Sequence, residues 1–102
     1  MRDYTRLLTA GNLAQLEKLQ RNEHKKGFDD IKISYAIRRL RHEMLELEDA
    51  VFIGDPREIR QEAADVANFA HMLILTCDNL LAEEELAIKE SPEQVQGIAK
   101  IV

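Results

Sequence analysis

Between residues 3 and about 23, leucines at positions 7, 8, 13, 16 and 19 recur at approximately helical spacing, with polar residues between them. Gly27 then offers a stop, and Asp29 or Asp30 a cap for a following helix. From about residue 31 to 53, Ile37, Leu40, Met44, Leu47 and Val51 trace the three-four spacing of an amphipathic face. Gly54 ends that stretch. Asp55-Pro56-Arg57-Glu58 carries the signature of a helix start: an N-cap side chain, a proline whose missing N–H costs nothing there, and an acid placed for a capping box. The third pattern continues through Ile59, Ala63, Val66, Ala70, Leu73 and Cys77 to about residue 82. Ser91-Pro92-Glu93-Gln94 repeats the start signature and predicts a short C-terminal helix. The expected fold is all-α: one domain over residues 1–102, most simply an antiparallel bundle of about four helices. The short connection at 54–56 makes the second and third helices antiparallel neighbours. From Val66 to Leu75 the third helix is apolar almost all round, so it needs cover on every side. A chain of this size encloses one helix poorly, and a homo-oligomer, dimer or tetramer, is expected to complete the core.

Composition narrows the function classes. Apolar residues form 45% of the chain and charged residues 32%, with only four glycines and two prolines, which suits helices and disfavours a many-stranded β fold. A net charge of −5 argues against binding a nucleic-acid polymer, whose affinity rests on cationic contacts to phosphates. The longest apolar run, Met72 to Cys77, is too short to span a bilayer, so no membrane role is expected. No secretory leader is legible at the N-terminus, and the single Cys77 cannot form an internal disulfide; a cytoplasmic protein is the expectation. Cys77 itself reads as a buried small hydrophobe.

Two acidic motifs break the helical pattern. Glu43-x-x-Glu46 lies on the second predicted helix and Glu62-x-x-Asp65 on the third. Residues three apart share a helix face, so each motif projects two carboxylates in one direction. Glu46 and Glu62 are about equally distant from the Gly54-Asp55 turn, which puts them at similar heights in an antiparallel pair. Glu43 falls at the edge of its helix's apolar face, while Glu62 falls near the middle of the stripe defined by Val66 and Leu73. Acids of this spacing also occur on ordinary solvated faces, as in Glu83-Glu84-Glu85. A carboxylate on a core-facing stripe is different, because it is costly to ionise without a cation. Four converging carboxylates call for a hard, oxygen-seeking ion, Mg²⁺ with Mn²⁺ as a substitute.

The stretch Leu40–Leu81, which contains both motifs, resembles the all-α nucleoside triphosphate pyrophosphohydrolases of the MazG-like superfamily, whose signature is Glu-Glu-x-x-Glu followed after a spacer by Glu-x-x-Asp. His42 stands where that signature has its first Glu. The resemblance implies hydrolysis of a nucleoside triphosphate between its α- and β-phosphates. Glu43, Glu46, Glu62 and Asp65 would hold the metal, and Glu46 would be the general base. Asn68 matches a position that is often polar in such proteins, and with Asn12 and Gln15 it is a candidate for the nucleoside side of a pocket. Arg39, one turn before Glu43, and Lys26, in the basic group with Lys25, Arg38 and Arg41, are the candidate phosphate contacts. Two alternatives stand beside this reading. Phosphoribosyl-ATP pyrophosphohydrolase has a similar Glu-Ala-Ala-Asp element, and a non-catalytic helical interaction module would use the acids as a surface for a basic partner.

Overall fold

The structure is a computed structural model that describes residues 2–22 and 32–90. Those residues form three α-helices and no strand: α1 (Thr5–Arg21), α2 (Ile33–Ile53) and α3 (Pro56–Glu90). The expected helix at Ser91-Pro92 lies outside the described residues.

The α2–α3 turn follows its sequence closely. Gly54 takes a left-handed conformation, φ 86° and ψ 16°, and its N–H donates to the Ala50 carbonyl at 2.9 Å. Asp55 Oδ1 then accepts from the Arg57 N–H at 3.0 Å, capping α3, whose first residue is Pro56. With two residues between helices, α2 must fold straight back along α3. At the other end, α3 runs beyond the expected stop near 82 and reaches Glu90. From Arg57 to Glu90 the sequence offers neither Gly nor Pro, and the segment Leu80-Leu81-Ala82-Glu83-Glu84-Glu85-Leu86-Ala87 consists of strong helix formers. The acidic run is therefore helix, as well as solvated.

The face that α2 buries is Ala36, Glu43 and Ala50, residues separated by steps of seven. This is one position round from the expected stripe, of which Ile37, Met44 and Val51 remain exposed. The small side chains let the α2 backbone approach α3 closely, while the larger ones point away from it. The leucines of α1 are likewise exposed rather than packed, and Cys77, expected to be buried, is exposed on α3. Ile74 and Leu75, within the all-apolar segment of α3, are also exposed.

Cross-helix contacts fix the topology. Glu17 pairs with Arg60, Lys18 with Asp65, and Gln15 with Asn68 and His71. Residues 17 and 18 of α1 meet 60 and 65 of α3, whereas residue 15 meets 68 and 71, so these helices run antiparallel. Because α2 is also antiparallel to α3, α1 and α2 are parallel to each other. Among the described residues α3 is thus a central helix with α1 and α2 each packed antiparallel against it. Among the described residues no helix is long and apolar enough to cross a membrane.

Candidate metal centre

Among the described residues, half of the buried ones are polar: Gln15, Glu43 and Asn68 stand with Ala36, Ala50 and Ala64. A core normally excludes such groups unless they are paired. Glu43 is only 4% exposed, the midpoint of the α2 seam rather than its edge. One of its oxygens, Oε1, accepts from Arg39 Nη2 at 2.7 Å. The guanidinium is pinned a second time, 5.5 Å above the Phe69 ring on α3. The other oxygen, Oε2, is buried without a hydrogen-bond partner, and so is Oε2 of Glu62. Leaving a buried polar atom unsatisfied costs about 1–3 kcal/mol, and more when it is charged.

The antiparallel turn brings Glu43 of α2 against Glu62 and Asp65 of α3. One oxygen from each of the three lies within 4.8 Å of the other two. Oxygens on opposite sides of a Mg²⁺ ion, each bonded at about 2.1 Å, are separated by about 4 Å. Adjacent oxygens around such an ion stand about 3 Å apart, so the set would have to draw together to hold it. The donors are all carboxylate oxygens, which fits Mg²⁺ or Mn²⁺, and the two orphaned oxygens are what such an ion would satisfy.

Glu46 stands beside this group. Its Oε1 lies 2.9 Å from His42 Nε2 on the exposed flank of α2. The electrostatics separate it from its neighbours. Burial pushes the Glu43 carboxyl up to about 7, with the nearby acids Glu46 and Asp65 adding to the rise and Arg39 opposing it. Glu62 is raised too, first by burial and then by Glu46 and Asp65, against the pull of Lys18. Glu46 is lowered, foremost by its closeness to Glu43 and further by His42, against the rise that burial brings. The Glu43 and Glu46 shifts are both in the direction that favours a proton on Glu43 over a full set of charged neighbours. A cation held by Glu43, Glu62 and Asp65 would offset the same repulsion.

The remaining expected residues are distributed as follows. Asn68, 6% exposed, donates its amide to the Gln15 carbonyl at 3.3 Å, so it ties α3 to α1. Lys26 lies outside the described residues. Sequence reasoning missed Lys18, which reaches from α1 to Asp65, and His71, whose Nδ1 is 2.9 Å from Gln15 Nε2. Neither belongs to a motif, and only the α1–α3 register reveals them. Beside the cluster, α1 and α3 enclose an open cavity of about 360 Å³. Its walls carry the apolar Leu16, Leu19, Met72 and Leu75 and the polar Asn12, Gln15, Asn68 and His71.

Comparison of the chain with models of known families, with curated proteins and with solved structures gives no match. The chemistry of the site therefore rests on its own geometry.

Proposed function

We propose that this protein is a Mg²⁺-dependent nucleotide pyrophosphohydrolase, cleaving an NTP or dNTP between the α- and β-phosphates to a monophosphate and pyrophosphate. The observation that carries the reading is the buried, unpartnered Oε2 of Glu43 in a cluster with Glu62 and Asp65. An orphaned carboxylate oxygen at the centre of a helix seam destabilises the fold unless a cation completes it. The spacing of the two acidic motifs, which resembles the MazG-like signature, supplies the choice of reaction.

The parts divide as follows. Glu43, Glu62 and Asp65 hold the ion, with Glu46 completing the set or standing free. When bound, the metal supplies positive charge to the phosphate oxygens as negative charge develops on them. Glu46, partly exposed and held below the usual carboxylate range, is ionised at neutral pH and able to take a proton from the attacking water. His42 fixes that carboxylate in position. Arg39 is committed to Glu43 and Phe69, so it orients a metal ligand first and meets a phosphate second. The cavity between α1 and α3 is of a size that suits a nucleoside, with apolar walls for a base and amide and imidazole groups for its edge. A second copy of the chain, covering the exposed apolar residues of α2 and α3, belongs to this reading.

The test is a screen of NTPs, dNTPs and phosphoribosyl-ATP for pyrophosphate release with Mg²⁺ and with Mn²⁺. Glu62→Gln and Asp65→Asn should each abolish turnover with helical content unchanged; full activity in either variant refutes the site. One observation favours the interaction-module alternative: the wide exposure of large apolar residues, with Phe52 93% exposed. Titration calorimetry separates the two, because a module with no metal site gives no heat with millimolar Mn²⁺.

A further inference from the structure

Among the described residues, Lys18 is the cation that reaches the acidic cluster from outside the two helices that build it. It projects from α1 and places Nζ 3.2 Å from Asp65 Oδ2, with the two side chains 18% and 17% exposed. The counter-ions of the cluster are held differently. Arg39 is fixed at two points, by Glu43 and by the Phe69 ring. His42 pairs with Glu46 along the same helix, one turn away. Lys18 has only the Asp65 contact among the described residues, at the end of a flexible four-carbon stem. Asp65 is also one of the three carboxylates that converge within 4.8 Å. An arriving metal ion and the Lys18 ammonium therefore compete for the same side chain.

Position adds a second constraint. Gln15 and Leu19, on either side of Lys18 along α1, line the cavity, and Asn68, one turn after Asp65, lines it from α3. The ammonium is thus at the cluster, while its neighbours along α1 line the cavity. A nucleotide with its phosphates at the cluster and its base in the cavity would run close to Lys18.

We propose that Lys18 is an exchangeable counter-ion, paired with Asp65 in the metal-free protein and transferred to a phosphate oxygen of the nucleotide once a metal ion takes Asp65. The proposal rests on the metal-and-nucleotide reading above. Its consequence is coupling. A metal binding alone displaces the ammonium and leaves it beside a dication; a phosphate chain binding alone competes with Asp65 for Lys18. Together they satisfy every charge, so each raises the affinity for the other.

Removing the Lys18 charge must therefore act in opposite directions on the two ligands, which a purely structural lysine would not do. Calorimetry on the full chain reads both, using Mn²⁺ alone and then an α,β-methylene triphosphate at saturating Mn²⁺. In Lys18→Met, Mn²⁺ alone should bind about fivefold tighter, the competing ion pair being gone. The nucleotide analogue should bind about tenfold weaker. Lys18→Gln should behave likewise, giving a second variant should the first not fold, and Lys18→Arg should stay near wild type in both arms. Unchanged or weaker Mn²⁺ binding in a helical Lys18→Met or Lys18→Gln protein overturns the role of Lys18, as does unchanged affinity for the analogue. Absence of Mn²⁺ binding in the wild type refutes the metal reading itself, and the exchange with it. Mn²⁺ binding by the wild type without the opposed shifts refutes the exchange alone.

Discussion

Glu43 occupies a position where an apolar side chain would do more for the fold. Ala36 and Ala50 flank it on the same seam, yet it brings a carboxyl group with one oxygen unpartnered. Burying such a group costs stability, which is what a functional position would accept. Glu43→Gln keeps the shape and an acceptor for Arg39 while removing the charge. At pH 8 and without metal this variant should be more stable than wild type by about 1 kcal/mol, and it should bind no Mn²⁺. Denaturant melts and calorimetry check the two halves; a variant that is less stable and still binds metal contradicts the assignment. The same residue sets a pH dependence. Its folded pKa, about 7, lies above the ordinary 4.5, and that of Glu62 is also raised. Between these limits the folded protein holds more protons than the unfolded chain, so stability falls as pH rises. The stabilisation is complete below about 4.5 and lost as pH passes through about 7. Glu46, lowered instead, acts in the opposite sense but only below its ordinary value of 4.5, outside this window. Thermal melts of the metal-free protein should show the transition temperature falling from pH 5 to 8. The fall should be shallower in Glu43→Gln and reversed by saturating Mn²⁺. A metal-free wild type whose melting temperature rises over that interval would remove the electrostatic basis of the site.

At the scale of elements, the α2–α3 hairpin was the most legible part of the chain, because its signals are local. Gly54, Asp55 and Pro56 each act through their own backbone or their nearest neighbours, and each adopts the expected role. From that turn the meeting of the two acidic motifs followed. The residues that α2 buries were harder to read. Alanine is nearly neutral in a hydrophobic pattern, so the Ala36–Ala50 seam was outweighed by Ile37, Met44 and Val51, and Glu43 was placed at an edge when it is central. The direction of α1 was not legible at all, since it is set by Lys18, Gln15 and Glu17 finding partners on α3 more than forty residues away. Two substitutions separate local from tertiary control. Gly54→Ala meets no steric obstacle, with nothing within 4 Å of an added Cβ, but forces a left-handed alanine. It should destabilise by about 1 kcal/mol through the backbone alone. Ala64→Leu, at a buried position on α3, should cost about 1–3 kcal/mol by prising the helices apart. Denaturant melts rank the two, and an Ala64→Leu protein as stable as wild type would mean that the close approach of the helices is not what the alanines are for.

For the molecule as a whole, the decisive fact is that no large side chain among the described residues is fully buried in a single chain. The α2 surface away from α3 presents Ile37, Met44 and Val51 in one row and Leu45 and Phe52 in another, with Ile53 at the end. Scattered exposed hydrophobes are normal, but contiguous rows along one helix mark a contact surface. A second copy is the economical occupant, because the all-apolar segment of α3 and the leucines of α1 are short of cover in the same chain. In the oligomer proposed above, such faces would meet their own copies across a two-fold axis. The wild-type protein should therefore sediment as a dimer or larger at micromolar concentration. Phe52→Glu puts a charge at the most exposed apolar position, away from Glu43, Glu62 and Asp65, and should shift the distribution towards monomer. Because a monomer cannot cover its apolar rows, the variant should also melt at a lower temperature, and its melting point should depend on concentration more weakly than that of the wild type. If Phe52→Glu sediments and melts as wild type, the α2 rows lie outside the subunit contact. If the wild type is itself a monomer with a concentration-independent melt, the exposed face belongs to a different partner, and the interaction-module reading gains what the oligomer loses.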